Sequence, residues 1–304
     1  MNKKVLIFDC DPGIDDAIAL AFFSGVIKQN KNNYDEYYII STWGNVPLEK
    51  TLKNSIICKK IFDIPVQIVR GKDKSIRGDV IFAEKVHGKD GLGGYSEKYF
   101  EIAKEEKITD LKFFLDNLEN QSSEIEIIAT GPLSSTYDIL SRKRLRERIQ
   151  KVVWMGGAFF EDGNITPYAE FNSYCDPEGV EILIEFAKEK KCVYFVPLDS
   201  TKKTQIKRDD FLHILETVKN KKVREFISDI TENAKVLILH DPLAVFAFFF
   251  PDLVKTFTSY AEVDKKAFRG RIYSIISPNQ YLEVVYDFDR ENFFRSLVSS
   301  LNSI

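Results

Sequence analysis

The chain lacks any apolar run of the ~18 residues that a membrane span needs. The longest candidate, residues 236–250, is interrupted by His240, Asp241 and Pro242. It also lacks an excess of one charge, with 43 Lys+Arg against 46 Asp+Glu and a net charge of −3. A generic polyanion binder carries a strongly basic face, so no nucleic-acid partner is expected. Cysteine is scarce, at positions 10, 58, 175 and 192, and no two have C-x-x-C spacing. That excludes the usual zinc and thioredoxin motifs. A secretory leader needs ~7–15 consecutive apolar residues, whereas the apolar start at residues 5–8 is stopped by Asp9 and Asp11. The expectation is a cytoplasmic protein with reduced thiols and no membrane partner.

What the chain does have is core material. The 304 residues are 44% hydrophobic, with 24 Phe and 13 Tyr. A chain of this length buries roughly 75% of its unfolded surface, so it folds without staples. Short apolar runs at residues 5–8, 37–40, 66–69, 125–128, 152–155 and 192–196 are bounded by turn signals. Helical patterns alternate with them, an amphipathic one at 13–28, then 48–62 and 133–140. Residues 70–95 read as a long Gly- and charge-rich loop. A more helical stretch covers 208–250, strands follow at 271–276 and 281–286, and a helix closes the chain at 290–301. Alternation of this kind predicts an α/β fold with a mostly parallel sheet covered on both faces. No linker or repeat divides the chain, so one domain over residues 1–304 is expected.

The sharpest feature is Asp9-Cys10-Asp11-Pro12-Gly13-Ile14-Asp15-Asp16-Ala17, directly after the first strand. In open α/β sheets, ligands bind beyond the carboxyl ends of the strands. Asp-Pro is also a helix-start signal, repeated at Asp176-Pro177 and Asp241-Pro242. Capping accounts for one carboxylate per site, not four within eight residues, whose mutual repulsion needs compensation. Hard oxygen ligands at that density suit Ca²⁺ or Mg²⁺. An EF-hand loop is excluded, because counting from Asp9 puts Ile14 and Leu20 where Gly and Glu are required. A phosphatase of the haloacid dehalogenase type also opens with strand-Asp-x-Asp. Gly13 and the second pair, Asp15-Asp16, do not fit it.

Further motifs follow in order: Trp43-Gly44-Asn45-Val46, His87-Gly88-Lys89-Asp90-Gly91-Leu92-Gly93, Thr130-Gly131-Pro132-Leu133, Met155-Gly156-Gly157, Gly163-Asn164, Ala169-Glu170-Phe171-Asn172 and His240-Asp241-Pro242. Together with the aspartate cluster they resemble the nucleoside hydrolase family of the inosine–uridine-preferring type. The resemblance implies a single-domain, Rossmann-like open sheet flanked by helices. It also implies hydrolysis of a ribonucleoside's N-glycosidic bond to free base and ribose, Ca²⁺ as cofactor, and a homodimer or homotetramer.

By the same resemblance, Asp11, Asp16, Asp241 and the Thr130 carbonyl hold the calcium, and Asp11 also takes a proton from the attacking water. Asp15, Asn45, Asn164, Glu170 and Asn172 grip the ribose hydroxyls. Met155 and His87 contact substrate as well, and His240 is the acid for the leaving base, since imidazole donates protons near neutrality. His213, in an apolar helical context, reads as structural.

The chain departs from the pattern of the family it resembles before the His-Asp-Pro motif. Nonspecific members carry tyrosines there, and residues 200–239 contain no Tyr or Trp. Counting back from His240 meets Arg224 and Ser228 instead. Only Trp43 and Trp154 exist, both at strand ends, which speaks against the purine-specific subgroup. Base preference therefore stays open. Alternatives are a hydrolase of a nicotinamide or modified-base riboside, or a catalytically weak nucleoside- or ribose-binding protein.

Overall fold

The computed structural model describes residues 3–29, 34–103 and 106–304. The strands in chain order are β1 (Lys4–Cys10), β2 (Glu36–Ser41), β3 (Gln67–Arg70), β4 (Ile108–Asp110), β5 (Glu124–Ala129), β6 (Ile149–Met155), β7 (Val193–Val196), β8 (Ile206–Lys207), β9 (Val236–Leu237), β10 (Val254–Val263), β11 (Ile272–Ile276) and β12 (Leu282–Phe288). Ten of them form one sheet in the order β11-β10-β12-β7-β6-β5-β1-β2-β3-β4, and β8 pairs with β9 apart from it. The run from β12 to β4 is parallel throughout. Strand β10 runs against the rest of this sheet, antiparallel to both β11 and β12.

A parallel strand buried on both faces reads as a continuous apolar run. β1 meets that description, with every residue from Val5 to Cys10 buried. From β1 the chain steps outward through β2, β3 and β4, then returns to β5 on the other side of β1. The β1/β5 boundary is thus the topological switch point, where open sheets leave a crevice for ligands. Asp9, Asp11 and Thr130 arrive there at the carboxyl ends of those two strands.

The helix Ile14–Gln29 is not amphipathic, contrary to its sequence pattern. Every residue from Asp16 to Ile27 is buried. It lies inside a second layer, packed by the helices Leu48–Phe62, His240–Phe249 and Arg290–Leu301, and a helix enclosed on all sides is apolar all round. Gly25 allows one of those approaches, since a Cβ there would collide with the Ser300 backbone.

Three other expectations are corrected. Strand β10 was not anticipated; Lys255 and Thr256 are exposed side by side where an irregularity interrupts the pairing with β12, and Glu262 is exposed farther along. The helical stretch 208–250 divides into Arg208–Leu215, Lys221–Ile230 and His240–Phe249, with β9 before the last. Neither later Asp-Pro pair works as a side-chain cap. Asp176 makes no cap bond and instead accepts from Ser134 Oγ at 2.6 Å and Ile76 N at 3.2 Å. Asp241 lies inside its helix, one residue past the start. Both tryptophans are fully buried braces beneath the crevice: Trp43 Nε1 donates to Ser134 Oγ at 2.9 Å and Trp154 Nε1 to Gly131 O at 3.2 Å.

Candidate active site

The crevice floor is acidic and tightly wired. Asp11 Oδ2 accepts from Asn45 N at 2.6 Å. Asn45 Nδ2 donates to the Asp11 carbonyl at 3.0 Å and to Asp16 Oδ2 at 2.9 Å. Asp16 Oδ2 also accepts from Gly13 N at 3.0 Å, and its Oδ1 accepts from Thr130 Oγ1 at 2.8 Å. Loops after β1, β2 and β5 are thereby joined through two carboxylates. Gly13 is required for this: a Cβ there would lie 2.5 Å from His87 Nδ1 and 2.7 Å from Asn45 Nδ2.

These carboxylates are out of water. Asp11 is 1% exposed, Asp16 0% and Asp241 3%. Burial, then Asp15 beside it, pushes Asp16 up to about 7. Burial followed by Asp16 raises Asp11 well above the carboxylate range. Burial followed by Asp15 and Asp16 does the same to Asp241. Asp9 is pushed by burial to about 7 and accepts from Thr136 N at 3.0 Å and Thr136 Oγ1 at 2.7 Å. It faces the helix Ser134–Ser141, so it braces the floor rather than joining it.

Three observations fit a divalent cation. One oxygen from each of Asp15, Asp16 and Asp241 lies within 4.8 Å of the others. Asp11 Oδ1 is buried without a hydrogen-bond partner, and it lies where a Cβ on Gly131 would be 2.5 Å away. The donors are all oxygen, as a hard ion requires. The close trio contains Asp15 and leaves out Asp11, which the sequence analysis had paired the other way, with Asp15 on the ribose. Asp11 is tied to the trio through Asn45 and Asp16. The Thr130 carbonyl accepts from Asn172 Nδ2 at 2.8 Å; a carbonyl has a second lone pair for a further partner.

Above the floor opens a cleft of about 830 Å³ lined by Asp15, Asn45, His87, Thr130, Met155, Asn164, Glu170, Asn172, His240 and Asp241. Every candidate substrate residue thus reaches one cavity, though several have already spent their polar atoms. Asn45 has used both amide hydrogens on the floor, so its oxygen is what it offers a ligand. Asn172 is similar, donating to the Thr130 and Met155 carbonyls. Glu170 caps the helix Phe171–Cys175, accepting from Asn172 N at 2.8 Å and Ser173 N at 3.0 Å. It also accepts from Gly157 N at 2.9 Å, and burial pushes it to about 7. Asn164 Oδ1 accepts from Phe171 N at 2.8 Å, which leaves its amide hydrogens toward the cleft.

Two histidines line the cavity, each under the influence of Asp15. His87 Nδ1 accepts from Ile14 N at 3.0 Å and lies 3.8 Å from Asp15 Oδ1. His240 Nδ1 lies 2.7 Å from Thr201 Oγ1. Burial lowers both rings' affinity for a second proton. His213 is on the surface, its side chain 85% exposed, so it is solvated rather than packed. Arg224 is turned away, donating to the Val218 and Lys219 carbonyls, and Ser228 is absent from the lining.

The outer walls come from residues 82–86, which sequence reasoning did not single out, and from 234 with 236–239, inside the 200–239 stretch where base contacts were expected. They carry apolar side chains at partly exposed positions, with Val86 71%, Val236 45% and Phe82 36% exposed. Neither segment contains a chemical motif, so nothing in the sequence marked its individual residues. Thr201 was missed for the same reason.

The open parallel sheet and the acidic crevice at its switch point define an α/β fold with a ligand site beyond the strand ends. A family model described as inosine-uridine preferring nucleoside hydrolase matches residues 6–295. The chain belongs to that family and is a ribonucleoside hydrolase. It is 31% identical over 315 residues to the pyrimidine-specific ribonucleoside hydrolase RihA of Citrobacter koseri, covering 97% of each chain. It is 29% identical over 265 residues to uridine nucleosidase 1 of Arabidopsis thaliana, covering 83% of this chain and 76% of that one. Among solved structures, a plant nucleoside hydrolase superposes with a TM-score of 0.78 at 26% identity, covering 98% of this chain and 99% of the other. The purine-preferring ribonucleoside hydrolase from Gardnerella vaginalis shares the fold, with a TM-score of 0.79 at 24% identity and 98% coverage of each chain.

Proposed function

We propose that the protein hydrolyses pyrimidine ribonucleosides, uridine foremost, with Ca²⁺ held by Asp11, Asp15, Asp16, Asp241 and the Thr130 carbonyl. The observation that carries this reading is the buried, mutually repelling carboxylate set with its unpartnered Asp11 Oδ1. A divalent cation held by these residues would offset the repulsion and would supply the acidification of a neighbouring water. Asp11 Oδ1 is the base that receives the water's proton as the water oxygen bonds C1′. The C1′–N bond breaks with its electron pair going to the base, through an oxocarbenium-like transition state. His240 donates to the departing base. The Asn45 and Asn172 oxygens accept from ribose hydroxyls, and the Asn164 amide donates to one. Glu170 keeps the Phe171–Cys175 turn in position for that grip. The pyrimidine assignment draws on the names of the relatives, the pyrimidine-specific hydrolase RihA and uridine nucleosidase 1.

The test is ribose release over a panel of uridine, cytidine, inosine, nicotinamide riboside and a nucleoside 5′-phosphate. Uridine turnover that collapses in Asp11→Asn supports the reading. Phosphate release without ribose would move the chemistry to another class.

A further inference from the structure

His240 has one hydrogen-bond partner on its ring, and the chemistry of that partner matters. Thr201 ends the short helix Leu198–Thr201 after β7 and is fully buried. Its carbonyl accepts from Thr204 Oγ1 at 2.7 Å, and Thr204 Oγ1 accepts from Leu239 N at 2.8 Å. The turn that carries Thr201 is therefore tied to the residue immediately before His240. Among the described residues, the Thr201 hydroxyl has no partner except His240 Nδ1.

A carboxylate or carbonyl at this position would only accept. It would hold a proton on Nδ1 and leave Nε2 bare in the neutral ring. A hydroxyl both donates and accepts. With no other acceptor in reach, its hydrogen goes to Nδ1 of the neutral ring, and the ring's own proton sits on Nε2. If the ring gains a second proton, Nδ1–H becomes the donor and the hydroxyl accepts. Nε2 carries a hydrogen in both states. It is also the nitrogen left for the cleft, which His240 lines.

We infer that Thr201 is a positioning residue whose hydroxyl holds His240 with Nε2–H turned to the leaving base, whatever the charge on the ring. This rests on the reading of His240 as the group that donates to that base. His87 provides an internal reference, because its Nδ1 accepts a backbone hydrogen and its own proton is likewise confined to Nε2.

The chain has three histidines, so each ring can be assigned in an untagged, ¹⁵N-labelled sample. Long-range proton–nitrogen spectra read the tautomers directly. The expected result is Nε2–H at His240 and His87 in the wild type, and mixed tautomers at His240 in Thr201→Val. Thr201→Val should lower uridine turnover ~10–100-fold, the usual cost of losing a partner that orients a functional histidine. KM should change little, and turnover of a riboside with a nitrophenolate leaving group should be kept, since that group leaves without a proton. Thr201→Ser should restore both the tautomer and the uridine rate. Nδ1–H at His240 in the wild type overturns the assignment. So does wild-type uridine turnover in Thr201→Val, or an equal loss on both substrates. His240→Ala separates the two layers: an equal loss on both substrates retires the donor role of His240, and the wild-type spectrum still decides the tautomer.

Discussion

The two ends of the cleft are built on opposite terms. The floor comes from the ends of β1 and β5 and the loop after β2, and its carboxylates are buried and hydrogen-bonded to backbone and to Asn45. The outer wall comes from residues 82–86, 234 and 236–239; apart from Glu84 and Lys85 its side chains are apolar, and Phe82, Val86 and Val236 are partly open to water. A hydrogen-bonded floor discriminates steeply, because a missing hydroxyl leaves buried polar groups unpaired, whereas an apolar wall discriminates weakly. Ribose recognition should be strict and base recognition graded.

The largest effect that could break this contrast is on the sugar. 2′-Deoxyuridine should be turned over ~10⁴–10⁵-fold less efficiently than uridine, the range for losing a hydroxyl that a site is built to bond. Comparable kcat/KM for the two would mean that the floor does not grip the ribose. Next comes Asp11→Asn, which should cost ~10²–10⁴ in kcat as a lost general base, with the far-ultraviolet circular dichroism unchanged. Smaller is the wall: Ile238→Ala should alter the uridine-to-inosine ratio of kcat/KM by ~10-fold, the low end for an apolar pocket contact. A change that instead fell equally on every nucleoside would show that residue 238 does not face the base.

A subtler consequence concerns stability. Asp16 and Glu170 have folded-state values of about 7, above the ordinary carboxylate values. The folded state therefore favours the protonated forms. Their stabilisation is complete below about pH 4 and is lost as pH rises through about 7. The melting temperature of the chelator-treated protein should fall between pH 5 and pH 8 from these groups, and saturating Ca²⁺ should remove much of that fall. Parallel pH profiles with and without the ion would separate floor carboxylates from cation binding.

The same division governs what the sequence made legible. Strand β1 and the helix Leu48–Phe62 follow from apolar runs and turn signals, and the floor follows from four aspartates packed after a strand. The amphipathic reading of Ile14–Gln29 failed because enclosure by three helices is a tertiary fact that local periodicity does not carry. Asp15 reads as a ribose contact by register, and it also lies within 4.8 Å of Asp16 and Asp241 oxygens, a proximity only the fold creates. The wall's individual residues were not legible, within 200–239 or at 82–86, because exposed Val and Phe in loops carry no spacing rule. Thr201 is 39 positions from His240 and meets it only where the turn after β7 packs on the segment after β9.

The central claim is that the buried carboxylate floor is a cation site, and calorimetric titration of Ca²⁺ into chelator-stripped protein tests it most directly. One ion per chain should bind in the wild type, with uridine hydrolysis returning in proportion to occupancy, and Asp241→Asn should weaken that binding sharply. Full ribose release in the stripped protein, or unchanged Ca²⁺ uptake in Asp241→Asn, would contradict the account.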